Sequence, residues 1–486
     1  MKLKKWSHML KQRIYQGLSA ACLALAMAGC KMPQIAMRSV SRRVPTTYNN
    51  SAQDTLGTAK VQWQEFFTDP SLKALIDSAL HHNQELNITQ QELQIARNEI
   101  QARKGEYLPS VTLGGQAALD RVSRYTIQGA TEDQVNIQPD RRTPDPLANF
   151  QLGAYASWEV DIWHKLRNAR KSAATRYLAS VEGRNFMVTN IIAEIATSYY
   201  ELLALDNQLL ILRQNIEIQD DALRVVRQEK EAARVTELAV KRFEAQIQNT
   251  TSLQYATRQR ITETENRINF LLGRFPQPIV RNDAEFNGLV PKIMQAGVPA
   301  QLLSNRPDIR RAEQQLVAAK LDVQVARANF YPSLGISGGV GFGAFKPGLL
   351  FTTPGALLYS IAGDLSAPLI NRNGIKALYS TANALQLQAV YNYERTVLNA
   401  YIEVANQLSN INNLEQGYEA KLKEVQALSL SIRISNSLFK SVRADYTEVL
   451  FTQRDALNAR FDLTETKMKQ LNATVNVYRA LGGGWN

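Results

Sequence analysis

Two very long stretches of this chain carry apolar residues at the spacing of a buried helix face. The first runs from about 166 to 231 and contains no Pro and one Gly, and the second runs from about 374 to 441. Shorter stretches with a similar pattern follow each of them, over about 236–273 and 447–480. A helix of about 65 residues is roughly 100 Å long at a rise of about 1.5 Å per residue. The pattern therefore predicts two long helical hairpins.

The apolar stripe of the first long stretch has the period of a coiled coil. It covers 216 − 188 = 28 positions in eight steps, a mean of 3.5. Its members are Val188, Ile192, Ile195, Tyr199, Leu202, Leu205, Leu209, Leu212 and Ile216. The second long stretch has a stripe near the same period, made of Val397, Tyr401, Val404, Leu408, Ile411, Tyr418, Leu422 and Val425. Both stripes predict packing against neighbouring helices.

Shorter segments ahead of each long helix alternate between apolar and other residues. Alternation with period two gives a strand one apolar and one polar face. The segment from Phe150 to Trp158 shows it clearly, and a long polar loop precedes that segment. Gly-rich strands with aromatic residues and without Cys are more typical of a barrel wall than of a soluble sandwich. We predict four strands, at about 107–119, 149–162, 331–343 and 356–369.

The two sets of elements are copies of one another. Tyr107–Gly115 resembles Tyr331–Gly339, and their prolines lie 332 − 109 = 223 positions apart. Each Pro follows a helical stretch, which it ends. The first such stretch begins near Ser71, whose side chain can cap it, and has a break near Asn83. We predict two structural repeats, at 61–274 and 300–486, joined by a segment at 275–299.

The first 60 residues differ from the rest. A basic start and a short apolar stretch predict a lipoprotein signal peptide at 1–29, because Met27-Ala28-Gly29-Cys30 resembles a lipobox. Lipid on Cys30 would anchor the polar tether at 30–60 to a membrane. The alternative is an ordinary signal peptide cleaved nearby, with Cys30 incidental.

Composition and chemistry exclude several classes of protein. The net charge of +12 is spread over 486 residues without a dense basic run, which argues against nucleic acid binding. His81 and His82 have no Cys or His at metal-binding spacing, so we expect no metal site. The sequence contains no catalytic motif that we can identify, and we predict a protein that is not an enzyme and needs no cofactor.

Several motifs resemble the outer-membrane factor family of TolC-like export channels, in the lipoprotein branch that serves RND-type efflux pumps. The motifs run in order from Cys30 to the C-terminus. They are Trp63–Pro70, Trp158–Trp163, Leu271–Arg274, Gly297–Ile309 with its Arg-Pro-Asp-Ile block, and Tyr478–Trp485 with its Gly-Gly-Gly-Trp tail.

The resemblance implies a mainly α-helical homotrimer with a membrane β-barrel. Each chain would give four strands to a twelve-stranded barrel in the outer membrane and its helices to a long periplasmic tunnel. The duct would be passive, and a periplasmic adaptor protein would couple it to an inner-membrane pump. The competing hypothesis is a structural or adhesive trimeric coiled-coil rod without a conduit, which needs no strands.

The resemblance also assigns roles to the two hairpin tips. It implies that Asp445, Glu448 and Arg443 lie at the periplasmic aperture. It implies adaptor-facing positions for Arg234, Thr236, Glu237, Tyr446 and Thr447. The family commonly has a Gly in each turn, whereas Glu231 or Ala232 and Val442 occupy the matching region here. The alternative for the tip acids is that they are ordinary solvated residues at a helix start.

Overall fold

A computed structural model gives the fold of most of the chain. The predicted signal peptide, Cys30 and most of the predicted tether lie outside the described residues. Val442 in the second tip also lies outside them. The structure describes residues 33, 35–36, 38–41, 44–48, 61–281, 286, 288–291, 297–441 and 443–485.

The elements of the first repeat follow the predicted order. They are α1 (Trp63–Phe66), α2 (Pro70–His82), α3 (Gln84–Tyr107), β1 (Ser110–Asp120), α4 (Ile127–Gln134), β2 (Asn136–Gln138), β3 (Arg141–Arg142), β4 (Leu147–Val160), α5 (Lys165–Glu231) and α6 (Glu237–Leu271). The second repeat has α7 (Leu302–Asn305), α8 (Pro307–Ala328), β5 (Ser333–Ala344), β6 (Leu357–Ser366), α9 (Asn373–Lys440) and α10 (Tyr446–Ala480).

Individual side chains determine where the helices and strands begin and end, and some of these limits differ from those we expected. The residue that caps α2 is Asp69 and not Ser71: its Oδ1 accepts hydrogen bonds from the backbone N–H of Ser71 (2.7 Å) and Leu72 (3.3 Å). The strand expected at 149–162 ends at Val160, because Asp161 caps α5 instead by accepting from Leu166 N–H at 3.0 Å.

The other three strands also lie within three residues of their expected ends. β1 begins after Pro109, three residues later than expected, because α3 continues to Tyr107. β5 likewise starts after Pro332, and β6 ends two residues before Pro368. Proline cannot donate to a strand ladder, so it marks these limits.

The first of two compact units contains the strands, and its residues are 33–39 as described, 95–177 and 314–390. The strands form one antiparallel sheet in the order β1-β4-β5-β6, with β1 and β6 at its edges. The connection between β1 and β4 is longer than a simple loop, since it folds into α4 and the small β2-β3 hairpin. Thr126 caps α4, and Arg124 bonds Asp145 at 3.2 Å.

The second compact unit contains the hairpins, and its residues are 40–94, 178–313 and 391–486, with the gaps given above. Its largest apolar cluster joins the stripe of α5 to the segment before α2 and to the end of α10. Ile195, Tyr199 and Leu202 are fully buried there by residues of the same chain. The α5 stripe therefore packs against neighbouring helices, as its period predicted, and these helices belong to the same chain.

The two repeats have a matching contact at the C-terminal ends of α6 and α10, which we call the joint. Asn83 separates α2 from α3, and its side chain donates to the carbonyl of Leu271 at 2.8 Å. Arg306 holds the matching place, 306 − 83 = 223 positions later, and donates to the carbonyl of Ala480 at 2.7 Å. Gly482 follows that carbonyl with φ +87°, and a Cβ on it would lie 2.6 Å from the oxygen of Asn305. Only Gly fits this position without strain.

Candidate channel surfaces

The sheet has one face made of apolar residues and glycine. Residues paired across strands lie on the same face, as in the rung Leu113-Ala154-Val340-Tyr359. Large side chains on this face are exposed in the single chain. They are Val111, Leu113, Leu119, Leu152, Ile336, Val340, Leu357, Tyr359, Ile361 and Leu365. Apolar area on this scale is rarely left in water, and it is typical of a surface that faces lipid or a partner.

The opposite face of the sheet is mostly polar or small. Its neighbouring rung is Thr112-Tyr155-Gly339-Ser360. The Tyr155 ring lies so close to Gly339 that a Cβ there would be 2.8 Å from it. An aromatic ring thus covers the glycine-rich strand β5, which has few side chains of its own on this face. An apolar face opposite a polar face is the pattern of a barrel wall that separates lipid from a water-filled interior.

The two hairpin tips share one small apolar core. Phe243 of α6, Val226 of α5 and Val449 of α10 are buried in it. Tyr446, which we had assigned to the adaptor-facing surface, packs against this core and is half-buried. The adjacent Thr447 is also half-buried. The second tip is thus held against the first by ordinary hydrophobic burial.

The charged residues of the first tip pair with one another. Arg234 lies 3.3 Å from Glu229. Glu237 forms ion pairs with Lys230 and, at 3.7 Å, with Lys241. The hydrogen bond from Lys230 lowers the pKa of Glu237 below its ordinary value. Thr236 occupies the N-cap position of α6 without a side-chain cap bond.

The charged residues of the second tip are arranged differently. Arg443, Asp445 and Glu448 are all exposed, and none of them has an ion pair with another described residue. Asp445 occupies the N-cap position of α10, and Glu448 lies in its first turn. Both carboxylates are therefore available to face other groups, and the dipole of α10 favours their charge.

The turn of the first tip contains a strained residue. Ala233 has φ +56°, in the left-handed region where glycine is favoured. Ala233 N–H donates to the carbonyl of Lys230 and Arg234 N–H to that of Glu229, each at 2.8 Å. The position that a family Gly would suit is thus Ala233, and not Glu231 or Ala232 as we expected. In the second tip Arg443 N–H bonds the Leu438 carbonyl in the same way, at 2.9 Å.

The long helix α9 exposes an apolar stripe of its own. Leu378, Leu385 and Leu398 lie on it at heptad-like spacing, and they are more than half exposed. Further along the same helix the expected stripe is only partly covered, with Tyr418 half-buried and Leu422 exposed. The earlier part of the predicted α9 stripe is covered by its own chain: Val397 and Val404 are buried, and Tyr401 packs against the same cluster.

Two classes of site have no counterpart in the described part of the chain. No three His, Cys, Asp or Glu side chains there gather so that they could hold a metal ion. No described helix is long and apolar enough to cross a bilayer.

The sheet and the hairpins together have the fold of a TolC-like channel subunit. The chain belongs to the outer membrane efflux protein family, whose model matches residues 75–274 and 298–483. Members of this family are export channels of the outer membrane, and this chain is one of them.

Relatives of known name match along most of their length. The solvent efflux pump outer membrane protein SrpC of Pseudomonas putida is 28% identical over 436 residues, which are 89% of this chain and 90% of SrpC. The probable outer membrane lipoprotein SilC of Salmonella typhimurium is 26% identical over 469 residues, 96% of each chain. The cation efflux system protein CusC of Escherichia coli O6:H1 is 26% identical over 96% of this chain and 98% of CusC.

Solved structures confirm the predicted fold. The open state of the Neisseria gonorrhoeae MtrE outer membrane channel superposes with a TM-score of 0.80, over 94% of this chain and 98% of MtrE, at 23% identity. A crystal structure of CusC superposes with a TM-score of 0.79 at the same identity, over 93% of this chain and 99% of CusC.

Proposed function

We propose that three copies of this chain close one twelve-stranded barrel and form a passive export duct. The observation that carries this proposal is the sheet itself. It has an exposed apolar face and two unpaired edges, β1 and β6, and unpaired strand edges are not tolerated in lipid. Four strands are too few to close a barrel, whereas twelve suffice. The exposed stripe of α9 would be covered by a neighbouring chain in the same assembly.

Disulfide trapping of neighbouring edges tests this arrangement. Leu113→Cys in β1 is combined in turn with a Cys at Leu357, Tyr359 or Ile361 in β6. Within one chain these edges are three strand spacings apart, roughly 14 Å, which is too far for a disulfide. We expect covalent trimers in at least one combination, and none when Leu113→Cys is combined with Ser360→Cys on the polar face. Monomers in every combination would refute the closed barrel.

We further propose that Cys30 is the lipidated N-terminus of the mature chain, after removal of residues 1–29. Ile35 packs beside Phe330 and Tyr379 in the strand unit. Ile35 is only five positions after Cys30 in the sequence, which fits a lipid anchor next to the unit that contains the strands. Mass spectrometry should find an N-terminal Cys30 carrying lipid, and an unmodified N-terminus elsewhere would disprove the anchor.

The partners that this function requires are an adaptor protein and an inner-membrane pump. We propose that the hairpin tips meet the adaptor at the periplasmic end, with Arg234, Thr236 and Glu237 on one tip and Tyr446 and Thr447 on the other. The paired charges of the first tip give it a fixed polar surface for such a contact. Co-purification of an adaptor with wild type, and its loss after Glu237→Lys, would support this role.

The duct itself need not recognise its cargo. The names of the relatives refer to solvents, pyoverdine and cations as exported materials, although their chains are similar in length and sequence. We propose that the pump selects the cargo and that the duct contributes its diameter and charge. We place that charge at the aperture, on Asp445 and Glu448 with Arg443 nearby.

The domain boundaries that we propose are the ones expected from the two sequence repeats. We propose two duplicated parts, 61–274 and 300–486, joined by 275–299. The joint supports this division, since Asn83 donates a hydrogen bond to the end of α6 and Arg306 donates one to the end of α10.

A further inference from the structure

The order of the strands also gives the order of the helices that join the sheet. α3 leads into β1, α5 follows β4, α8 leads into β5 and α9 follows β6. With the strand order β1-β4-β5-β6, α3 and α9 are therefore the two outer helices of a row.

Contacts between neighbouring helices agree with this row. Arg167 of α5 lies over the ring of Tyr107 of α3, 5.6 Å from its centroid. Ser172 of α5 donates a hydrogen bond to Asp322 of α8 at 2.6 Å. α8 and α9 share a small apolar cluster. Each inner helix thus has a neighbour on both sides, whereas each outer helix has one on one side.

Each outer helix has an exposed face whose residues recur at steps of three and four positions, the spacing of a coiled coil. These residues are Ile95, Asn98 and Ala102 on α3, and Leu378, Thr381 and Leu385 on α9. Ile95 is 68% exposed and Leu385 is 54% exposed. The segment 377–393 of α9 contains no charged residue at all. A helix face that meets water normally has charged side chains, so these faces are typical of surfaces that a partner covers.

The two faces also match in position along their helices. Ile95 lies 107 − 95 = 12 residues from the end of α3 that joins the sheet, and Leu385 lies 385 − 373 = 12 residues from the corresponding end of α9. Ala102 and Leu378 lie 107 − 102 = 5 and 378 − 373 = 5 residues from the same ends. An antiparallel pair of these helices would therefore bring Ile95 to Leu385, and the small Ala102 to the large Leu378.

We propose that α3 of one chain packs against α9 of the next chain through these two faces. The proposal rests on the closed barrel, in which β1 of one chain pairs with β6 of the next, because α3 and α9 continue from those two edges. Within one chain α3 and α9 are three interhelical spacings of about 9 Å apart along the row. The partner that fits both faces is therefore a second copy of this chain, and the row of helices closes as the sheet does.

Disulfide trapping of the full-length protein in isolated membranes tests this pairing. We expect Ile95→Cys combined with Leu385→Cys to give covalent trimers on a denaturing gel, and each single variant to give none. Arg97→Cys combined with Leu385→Cys is the matched control, because Arg97 is exposed on the other side of α3. It should give about ten-fold less trimer, since its Cβ points away from the partner. Equal yields from the two pairs, or products that stop at dimers, would overturn the proposal.

The disulfides between strand edges separate a failure of this pairing from a failure of the barrel. Trimers from Leu113→Cys with a cysteine in β6, but none from Ile95→Cys with Leu385→Cys, would overturn the helix pairing and leave the barrel intact. Absence of trimers from both sets would overturn both.

A charge exchange tests the same contact without a covalent bond. Leu385→Asp places a charge between the two helices, and we expect most of the trimer to be lost in mild detergent. Adding Ile95→Lys should recover the trimer, and more so at low salt, because the two charges face each other. Adding Gln101→Lys, on an exposed side of α3 away from Ile95, should not recover it. A trimer that Leu385→Asp leaves unchanged, or equal recovery by both lysines, would contradict the pairing.

Discussion

Among the residues of the joint, Arg306 has the largest set of buried polar contacts. Its guanidinium lies 2.7 Å from Asp308 and 2.8 Å from Glu403, and it also bonds the carbonyl of Ala480. Burial lowers the pKa of Arg306, but the hydrogen bonds and charges of Asp308 and Glu403 outweigh burial and raise it overall. The Arg-Pro-Asp-Ile block thus has a structural role: it fastens α8 to α9 and α10.

Replacing Arg306 should therefore destabilise the protein strongly. Arg306→Ala leaves Asp308 partly buried without its cation and Glu403 with Arg479 as its remaining partner, at a cost of about 3 kcal/mol in the free energy of unfolding. Urea unfolding of the purified protein measures this loss. Arg443→Ala, at an exposed arginine with no ion pair to a described residue, is the matched control and should change stability by less than about 0.5 kcal/mol. Equal effects of the two substitutions would contradict the role of the joint.

Glu448 is the residue whose proposed role concerns ions. Three chains would bring three Glu448 and three Asp445 side chains near one axis, where their charges attract cations. We expect Glu448→Ala to reduce the cation-to-anion permeability ratio about two-fold, and to weaken block by a multivalent cation from the periplasmic side. Asp445→Ala should have a smaller effect in the same direction.

The ordinary alternative for these acids makes a different prediction. If Glu448 and Asp445 are solvated residues at a helix start, neither substitution changes selectivity or block. Arg443 forms no ion pair with either acid within the described chain, so removing the acids breaks no bridge there. Unchanged selectivity in both variants would place the aperture elsewhere.

At the scale of elements, the turn between α5 and α6 stores backbone strain at Ala233. A left-handed Ala costs about 1 kcal/mol relative to Gly, part of which the more flexible unfolded chain of a Gly variant cancels. Ala233→Gly should therefore stabilise the tip by up to about 1 kcal/mol, seen as slower hydrogen exchange at Arg234. Ala232→Gly, beside it but without a left-handed backbone, should speed exchange. Faster exchange in Ala233→Gly would show that the turn is not strained.

The paired charges of the first tip make its stability depend on pH. The hydrogen bond from Lys241, with that from Arg227, lowers the pKa of Glu244, as Lys230 does for Glu237. A lowered carboxyl pKa contributes stability above its ordinary value of about 4.3, and that stability is lost as pH falls through the lowered pKa.

We therefore expect the tip region 227–244 to open more readily below about pH 4. Hydrogen exchange by mass spectrometry, corrected for the intrinsic effect of pH, measures this opening. The double variant Glu237→Gln, Glu244→Gln should lose most of this dependence on pH, because it lacks the two carboxyls whose pKa is lowered. A wild-type tip with constant protection down to pH 3 would contradict the assignment.

Periodicity predicted the long elements well, because each is governed by one repeating rule. The helical hairpins and strands lie within a few residues of their expected limits. The exact ends of the helices depended on individual capping side chains, which periodicity does not predict. Asp69, and not Ser71, caps α2. Periodicity also could not show that the α9 stripe is covered as far as Ile411 and only partly beyond it, because the spacing stays the same. How far each stripe is buried depends on chain segments that are remote in sequence, such as Trp63–Phe67 for α5.

At the scale of the whole molecule, the class of protein could be predicted from short motifs in order along the chain, and the family match confirms it. The site could be predicted only in outline. The tip residues were placed through the resemblance, but the ion pairs of the first tip and the buried amide of Gln453 depend on helix packing. A single Gln within a helical stretch gives no signal in the sequence that its side chain will be buried.

The central claim is that this chain assembles into a water-filled duct through the outer membrane. Single-channel recording of the purified protein in a planar lipid bilayer tests it most directly. The account predicts discrete conductance steps from the trimer, and their loss when Leu113→Asp and Val340→Asp place charges on the lipid-facing side of the sheet. Insertion of a stable trimer that never conducts ions would contradict the duct, and would favour a structural envelope protein instead.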